Sequence, residues 1–389
     1  MPTFLFDTEL NSLTGSDFGC SVAIDGNTLV IGSEDDTASG LAAGAAYVYI
    51  LQGNEWVLQA TLFAGDAAAG DLYGYQVAIS GDTLAVSAPH HEVSSSANAG
   101  AVYVYTRSGT TWTLQQEITD PAALAQSGNN FGNALTLNGD TLFVGSNTAN
   151  VALASTWIYL RSAGVWTLSQ QILLDAGIGS STPLSGRPFS MSSTIAALGG
   201  YLTENGNVGQ VHVWALSAGT WSEQQVLTPS DGASGDQFGK TVFLSGSTLF
   251  IGAPNHGAGG AVYVFTLSGG VWTQVQEILP NSATDSGGFG MGIAAGGSSL
   301  FIGSPQNASD KGATSYYVFQ SGSWVFNQSI APSNLQANAF FGNSIAFNSV
   351  NPAIGAVRQG LLSSVGKVYV SDPVFGLVTI TFKGEKVYS

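Results

Sequence analysis

The chain has 389 residues, and 25 acidic residues against 9 basic residues give it a formal net charge of −16. This charge argues against nucleic acid and anionic lipid headgroups as partners, because an acidic surface repels both. No apolar run approaches the ~20 residues that cross a bilayer, so membrane insertion is not expected. The single cysteine, Cys20, excludes an internal disulfide and a cysteine-based zinc site, and we interpret it as a core residue.

An aromatic–glycine pair followed by an apolar strand recurs along the chain. An ungapped overlay adds Leu184-Ser185 as a seventh, degenerate copy, and the mean spacing, (341−18)/6, is about 54 residues. Within each repeat the pair opens strand A, a glycine turn leads to a Leu-rich strand B, and an aromatic strand C follows. The intact pairs start at Phe18, Tyr73, Phe131, Phe238, Phe289 and Phe341.

A tryptophan followed six residues later by Leu or Ile marks a fourth strand, D. Its seventh copy is Phe4 with Leu10, at the start of the chain, which indicates a circular shift of the repeat. Because these side chains hold equivalent positions, we interpret them as packing between repeats. The tryptophans are Trp56, Trp112, Trp166, Trp221, Trp272 and Trp324.

Seven units of four antiparallel strands predict an all-β fold, a seven-bladed β-propeller spanning residues 1–373. The N-terminal strand, at residues 4–10, is expected to complete the last blade and close the ring, which removes an exposed sheet edge. Residues 374–389 remain as a C-terminal tail, which is either an extra strand or the start of a further domain.

The repeat resembles the FG-GAP repeat of integrin α-subunits and of many bacterial surface and secreted proteins. Phe238-Gly239, Gly252-Ala253-Pro254 and residues 260–265 carry the likeness most fully. The resemblance implies an extracellular or cell-surface protein that binds proteins or glycans or serves as a scaffold. The chain itself starts without a basic region and an apolar run, so no signal peptide is expected in it.

Integrin-type repeats bind calcium in the A–B loop through acids spaced two apart. The corresponding segments here are tight glycine turns such as Ser80-Gly81-Asp82, with at most one or two acids. The family's calcium sites therefore do not carry over, and no cofactor is required, although calcium elsewhere stays open. Short A–B turns and a Trp-led fourth strand match a bacterial variant of the repeat.

Antiparallel order places the A–B and C–D turns on one face of the ring, the turn face, and the longer B–C and D–A segments on the other, the loop face. Long loops on a rigid scaffold are where binding usually occurs. Fourteen of the 25 acids map to the loop face. The candidate binding residues there are Glu34, Asp35, Asp36, His90, His91, Glu92, Arg187, Tyr201, Glu204, His256, Lys311 and Arg358.

Several of these side chains have two interpretations. Glu34-Asp35-Asp36 could bind calcium or form a solvated turn, and Tyr201 or Tyr75 could stack on a sugar. Asp66 with Asp71, and Asp231 with Asp236, could clamp a cation between blades or cap their loop by accepting backbone N–H bonds. His90-His91 and His256, with Glu92, could form a metal set or general base if loops from blades 2 and 5 met over the channel. Arg187 lies in the irregular fourth repeat, which is either specialised or degenerate.

Three classes of function remain after these considerations. We favour a binding or adhesion module that recognises a glycan or a surface protein through the loop face. The alternative is a structural block of a larger surface assembly, which would self-associate. A carbohydrate-active enzyme is the third class, but the B–C loops offer only Arg358 and Lys311 as basic groups, and no nucleophile elbow, phosphate loop or metalloprotease motif is present.

Overall fold

The computed structural model describes residues 8–11, 17–53, 55–121, 127–147, 154–174, 188–201, 206–282, 285–307, 310–357 and 366–371. The predicted tail at 374–389 lies outside them. Seven four-stranded antiparallel sheets form the blades, which confirms the predicted β-propeller. Blade 1 contains β2 (Phe18–Asp25), β3 (Thr28–Ser33), β4 (Ala45–Gln52) and β5 (Glu55–Leu62); blade 2 contains β6 (Val77–Ser80), β7 (Thr83–Ala88), β8 (Ala101–Ser108) and β9 (Thr111–Thr119).

The remaining blades follow the same order along the chain. Blade 3 contains β10 (Ala134–Asn138), β11 (Thr141–Asn147), β12 (Ala154–Ser162) and β13 (Val165–Leu174); blade 4 contains β14 (Phe189–Met191), β15 (Ile195–Gly200), β16 (Gln210–Ser217) and β17 (Thr220–Leu227). Blade 5 contains β18 (Thr241–Ser245), β19 (Thr248–Ala253), β20 (Ala261–Ser268) and β21 (Val271–Ile278); blade 6 contains β22 (Gly292–Gly296), β23 (Ser299–Ser304), β24 (Ala313–Gln320) and β25 (Ser323–Ile330). Blade 7 contains β26 (Ile345–Phe347), β27 (Pro352–Ala356), β28 (Lys367–Val370) and β1 (Thr8–Asn11).

Blade 7 closes the ring with strands from the two ends of the described chain. β1 pairs antiparallel with β28, with Leu10 opposite Val368 and Glu9 opposite Tyr369. Lys367 donates a hydrogen bond from Nζ to Glu9 Oε2 at 2.7 Å across the same pair. The predicted closure by an N-terminal strand is confirmed, and within the described residues that strand runs over 8–11.

The first strand of every blade faces the central axis. β2, β6, β10, β14, β18, β22 and β26 contact one another in turn, and β26 returns to β2. They surround a cavity of about 210 Å³ lined mainly by aliphatic and aromatic side chains, with Gln76, Thr136 and Ser190 among the polar ones. Among its described lining residues none is charged or titratable. The described lining of this cavity is therefore uncharged.

The aromatic ring of each intact aromatic–glycine pair fills the interior of its blade. Phe238 is fully buried, and its ring meets Tyr263 of β20 edge-on at 5.4 Å between centroids. Its backbone also pairs with Gly209, which precedes β16 in the neighbouring blade 4. The equivalent bridges Gly44–Tyr73, Gly260–Phe289 and Gly312–Phe341 join three further pairs of blades. The pair is thus a joint between blades as well as a core residue.

The strand-D tryptophans are buried between blades, as predicted, and in blades 2 to 5 a glutamine four residues after the tryptophan binds the backbone of the tryptophan in the next blade. Gln225 donates from Nε2 to the carbonyl of Trp272 at 2.9 Å, and its Oε1 accepts from the Trp272 backbone N–H at 2.9 Å. Gln116, Gln170 and Gln276 make the same pair of bonds to Trp166, Trp221 and Trp324. In the described residues no helix has the length and apolar character that a membrane span needs.

Candidate functional site

Basic side chains on the turn face are paired within that face. The Arg107 guanidinium contacts Asp82 Oδ1 at 2.7 Å and donates to Thr28 Oγ1 of blade 1 at 2.9 Å. Arg161 repeats the arrangement one blade later, with Asp140 at 2.7 Å and Thr83 at 2.8 Å. These arginines join neighbouring blades, so their charge is already used within the scaffold.

The loop face is acidic, but many of its acids are internal. Of the described basic groups there, Lys240 is buried, Lys367 is paired with Glu9, and Lys311 is exposed. Exposed acids include Asp66, Glu92 and Asp231. Seven acids predicted for this face are buried, namely Asp17, Glu34, Asp36, Asp71, Asp120, Asp236 and Asp285. A large part of the negative charge therefore organises the loops rather than facing solvent.

The acidic run in blade 1 illustrates this internal role. Glu34 and Asp36 are buried, and Asp35 is half-buried. Asp36 accepts from Tyr47 Oη at 2.6 Å and from the Ala38 backbone N–H at 2.9 Å. The interpretation of this run as a solvated turn is wrong, because Glu34 and Asp36 are buried. Hydrogen bonds such as those to Asp36 compensate a buried carboxylate for its lost hydration.

Blade 2 brings five polar side chains together at the loop face. Asp66 and Asp71 come from the D–A segment, His91 from the B–C segment, Tyr103 from β8 and Glu117 from β9. His91 Nδ1 lies 3.0 Å from Asp71 Oδ2, and its Nε2 lies 3.5 Å from Asp66 Oδ2 and 3.9 Å from Glu117 Oε1. Tyr103 donates from Oη to Asp66 Oδ1 at 2.8 Å. Burial and the Asp66 charge raise the pKa of Glu117.

Blade 5 repeats this constellation residue for residue. His256 Nδ1 lies 2.8 Å from Asp236 Oδ2, and its Nε2 lies 3.7 Å from Asp231 Oδ2 and 3.4 Å from Glu277 Oε1. Tyr263 donates from Oη to Asp231 Oδ1 at 2.8 Å. Partial burial lowers the pKa of His256, but the three carboxylates outweigh it and the net pKa is raised, Asp236 acting most strongly.

The predicted roles of these side chains divide as follows. Asp71 and Asp236 cap their loops, accepting the backbone N–H of Ala68 at 2.9 Å and of Ala233 at 2.8 Å. That capping interpretation is confirmed. The hypothesis that histidines from blades 2 and 5 meet over the channel is wrong, because His91 and His256 lie in two separate clusters, one in each blade. His90 and Glu92, next in sequence to His91, are not members of that cluster.

Glu117, Glu277, Tyr103 and Tyr263 belong to the clusters but were not among the sequence-predicted site residues. Both glutamates stand five residues after the strand-D tryptophan, Trp112 or Trp272. Both tyrosines hold the same place in strand C. Aligning the repeats position by position for rare polar residues would have found them, because blades 2 and 5 then share His, Glu and both Asp.

Tyr201 and Tyr75 are buried, so the prediction that their rings are available to stack on a sugar is wrong. The Tyr201 ring instead covers the Lys240 amine at 4.1 Å from Nζ to the ring centroid. Burial lowers the pKa of Lys240 to about 8. Of the other candidates, Lys311 is exposed on the loop face. Arg187, Glu204 and Arg358 lie outside the described residues.

Replacing Lys240 by methionine should stabilise the protein at pH 7 by about 1–2 kcal/mol. This gain is the free-energy cost of burying the charged amine, which its lowered pKa reflects, minus the stabilisation that the cation–π contact with Tyr201 provides. Below pH 8 both folded and unfolded chains hold the proton, so the folded state bears the full cost of burying the charge. Between pH 8 and 10.5 the folded chain releases the proton first, and the cost disappears.

The gain from Lys240→Met, measured by chemical denaturation against the unaltered protein, should therefore shrink between pH 7 and pH 10. Lys311→Met, at an exposed site, is the control and should show no such trend. An equal gain for Lys240→Met at both pH values would contradict the depressed pKa.

Seven four-stranded blades closed around an apolar channel define the chain as a seven-bladed β-propeller, a fold that fits a binding or scaffold role. The family described as "FG-GAP repeat" matches residues 11–49, 56–105 and 221–265. These matches and the seven-bladed arrangement support the FG-GAP β-propeller that the sequence resemblance predicted. No significant match to it is found among curated proteins.

Solved structures share the fold at low sequence identity. A protein from Lactobacillus plantarum is 17% identical, with a TM-score of 0.53 over 89% of this chain and 97% of that chain. Proteins from Bacteroides uniformis and Bacteroides fragilis, each named "putative 6-phosphogluconolactonase", are 15% and 14% identical. Their TM-scores are 0.52 and 0.53, and each covers 80% of this chain and 85% or 84% of its own. These likenesses show the fold alone.

Proposed function

We propose that this propeller is an extracellular or cell-surface binding module whose loop face recognises a protein partner carrying positive charge. The supporting observation is the contrast between the two faces. The described arginines of the turn face are bound to its own acids, whereas Asp66, Glu92 and Asp231 stand exposed on the loop face. An exposed acidic surface of this kind attracts and orients a basic partner.

A protein partner fits this face better than a glycan. None of the aromatic rings on the described part of the loop face is exposed, so that part offers no flat ring on which a sugar could stack. Leu41 and Leu279 are exposed instead, at 77% and 55% of their surface. Exposed leucines among acids suit the apolar centre and charged rim of a protein interface.

The lactonase name of the two Bacteroides proteins does not favour the same activity here. A phosphorylated sugar lactone is an anion, and an acidic loop face repels it. The described channel also lacks charged groups. We therefore carry the binding function forward and not an enzymatic one.

A binding panel of purified surface proteins and glycans, run in chelator and then in calcium, tests the proposal. We expect a protein hit that weakens as salt is raised, because exposed charge pairs are screened. A loop-face variant combining Leu41→Ser with Glu92→Gln should lose it. The matched turn-face variant, Val271→Ser with Glu55→Gln, should keep it, since both of its residues are also exposed.

Other outcomes would overturn this function. A glycan hit insensitive to salt would replace the protein partner by a carbohydrate. Binding lost only in the turn-face variant would show that the partner binds the turn face and not the loop face. Absence of any hit together with concentration-dependent self-association would favour a structural block of a larger assembly.

A further inference from the structure

We propose that the two histidine–carboxylate clusters of the loop face are paired zinc sites, one in blade 2 and one in blade 5. The blade-2 site consists of Asp66, His91 and Glu117, and the blade-5 site of Asp231, His256 and Glu277. In each, one imidazole nitrogen and two carboxylate oxygens lie within 4.8 Å of one another. This inference goes beyond the proposed function and does not depend on it.

The spacing of the ligand atoms fits an ion between them. From histidine Nε2 to the carboxylate oxygens the distances are 3.5 and 3.9 Å in blade 2, and 3.7 and 3.4 Å in blade 5. These exceed the ~2.7–3.2 Å of an N–H···O hydrogen bond. Two ligands of a tetrahedral zinc ion, each at ~2.0–2.2 Å, stand about 3.3–3.6 Å apart.

Asp71 and Asp236 each contact Nδ1 of their histidine, which leaves Nε2 to face the ion. His91 Nδ1 donates to Asp71 Oδ2, and His256 Nδ1 to Asp236 Oδ2, so the proton of the neutral ring is on Nδ1. In the neutral ring the Nε2 lone pair then faces two carboxylates, an arrangement that a cation bound among them would stabilise. A carboxylate behind the ligating histidine is the usual support of a zinc-bound imidazole.

The carboxylates are oriented by neighbours as well. Tyr103 and Tyr263 each donate to the Oδ1 atom of the cluster aspartate, at 2.8 Å in both blades. This bond turns the other oxygen, Oδ2, towards the histidine. Because the tyrosines belong to rigid central strands, they hold the aspartates in place before any ion arrives.

Neighbouring blades provide an internal contrast. In blade 1 the position of His91 is taken by Asp36, and the position of Glu117 by Thr61. In blade 6 Ser329 stands where Glu117 does, and its hydroxyl donates to Asp285 Oδ1. Within the described residues, histidine and glutamate thus occupy these two positions of the repeat together in blades 2 and 5. Their joint presence in two separate repeats favours a shared ligand over independent ion pairs.

An imidazole ligand selects the class of metal. Calcium and magnesium prefer oxygen ligands alone, whereas one nitrogen with two carboxylates suits zinc and similar transition ions. Three protein ligands leave room for water or a partner's side chain at the fourth position.

Isothermal titration calorimetry tests the proposal, with ZnCl₂ added to the protein after a chelator has removed any bound metal. We expect two zinc ions per chain, one after His91→Ala or His256→Ala, and none after both. His90→Ala removes an imidazole next to the blade-2 site but outside it, and should keep both ions. Asp236→Asn should retain the blade-5 ion with affinity weakened about 10- to 100-fold.

Two further readouts separate binding from folding defects. The melting temperature should rise with zinc in the unaltered protein and not in the double histidine variant, whose circular dichroism should match the unaltered protein. Cobalt in place of zinc should give visible absorption that each histidine variant halves, and millimolar calcium should not displace it.

The proposal is overturned if the unaltered protein binds no zinc, or if the double variant keeps the stoichiometry of the unaltered protein. In that event the clusters hold a protonated imidazole instead of a metal. A single ion lost with only one histidine overturns the site in the other blade. Because partner binding is measured in chelator, failure of the zinc sites and failure of the binding function are separate results.

Discussion

Replacing Phe238 by alanine should lower the free energy of unfolding by about 3–5 kcal/mol. Phe238 is fully buried and packs edge-on against Tyr263, at 5.4 Å, and against Phe265, at 6.2 Å. Removing the ring leaves a cavity between two sheets whose backbones are fixed by their own hydrogen bonds, so little of it can collapse. Chemical denaturation followed by tryptophan fluorescence measures the loss.

The matched control is Phe319→Ala in blade 6. Phe319 exposes 47% of its surface, although it too contacts an aromatic ring, that of Trp324. Its loss should cost less than about 1 kcal/mol. Similar losses for Phe238→Ala and Phe319→Ala would show that the aromatic–glycine pair is not a special joint of the fold.

Gly209→Ala, on the opposite side of the same joint, should cost about 2–5 kcal/mol. Gly209 has a φ of +92°, and a Cβ atom there would lie 1.9 Å from the Phe238 carbonyl oxygen and 2.6 Å from its nitrogen. The left-handed conformation alone costs an alanine about 1–2 kcal/mol. The contact with backbone atoms adds about 1–3 kcal/mol, because blade 5 must move away from blade 4.

Gly219→Ala separates the two contributions. Gly219 lies in the same blade with a φ of +82°, but no atom lies within 4 Å of the Cβ position. This variant should lose only the conformational part, about 1–2 kcal/mol. Equal losses at both glycines, in the same denaturation experiment, would contradict a steric joint between the blades.

The architecture was predictable from the sequence because the sequence pattern of one blade recurs along the chain. Six aromatic–glycine pairs and six tryptophans at fixed spacing, each set completed by one degenerate copy, give the number of blades, the four strands of each, and the circular shift that places an N-terminal strand in blade 7. Because the other repeats fix the spacing, one irregular repeat can still be assigned as a blade. Blade 4 kept its four strands although it lacks the pair.

The candidate sites were less predictable because each needs side chains from four segments of one blade. The four segments are the D–A segment, the B–C segment, strand C and strand D, which in blade 2 hold Asp66 with Asp71, His91, Tyr103 and Glu117. Adjacency in sequence favoured His90 and Glu92 instead. Whether an acid on a loop faces solvent or caps the loop depends on which N–H and O–H groups surround it. Asp36 and Asp71 are buried for that reason, and composition alone does not reveal it.

The pairing of β1 with β28 also sets the order in which the protein can be completed. Thr8 lies opposite Val370, so the first strand has no partner until the ribosome has added about 360 more residues, which takes about 20–70 s. Blades 1 to 6 can each form from contiguous chain during that time. Until then β1 stays unpaired, and a chain released before β28 is made would leave β1, and the edge of the unfinished blade 7, open to pairing with other molecules.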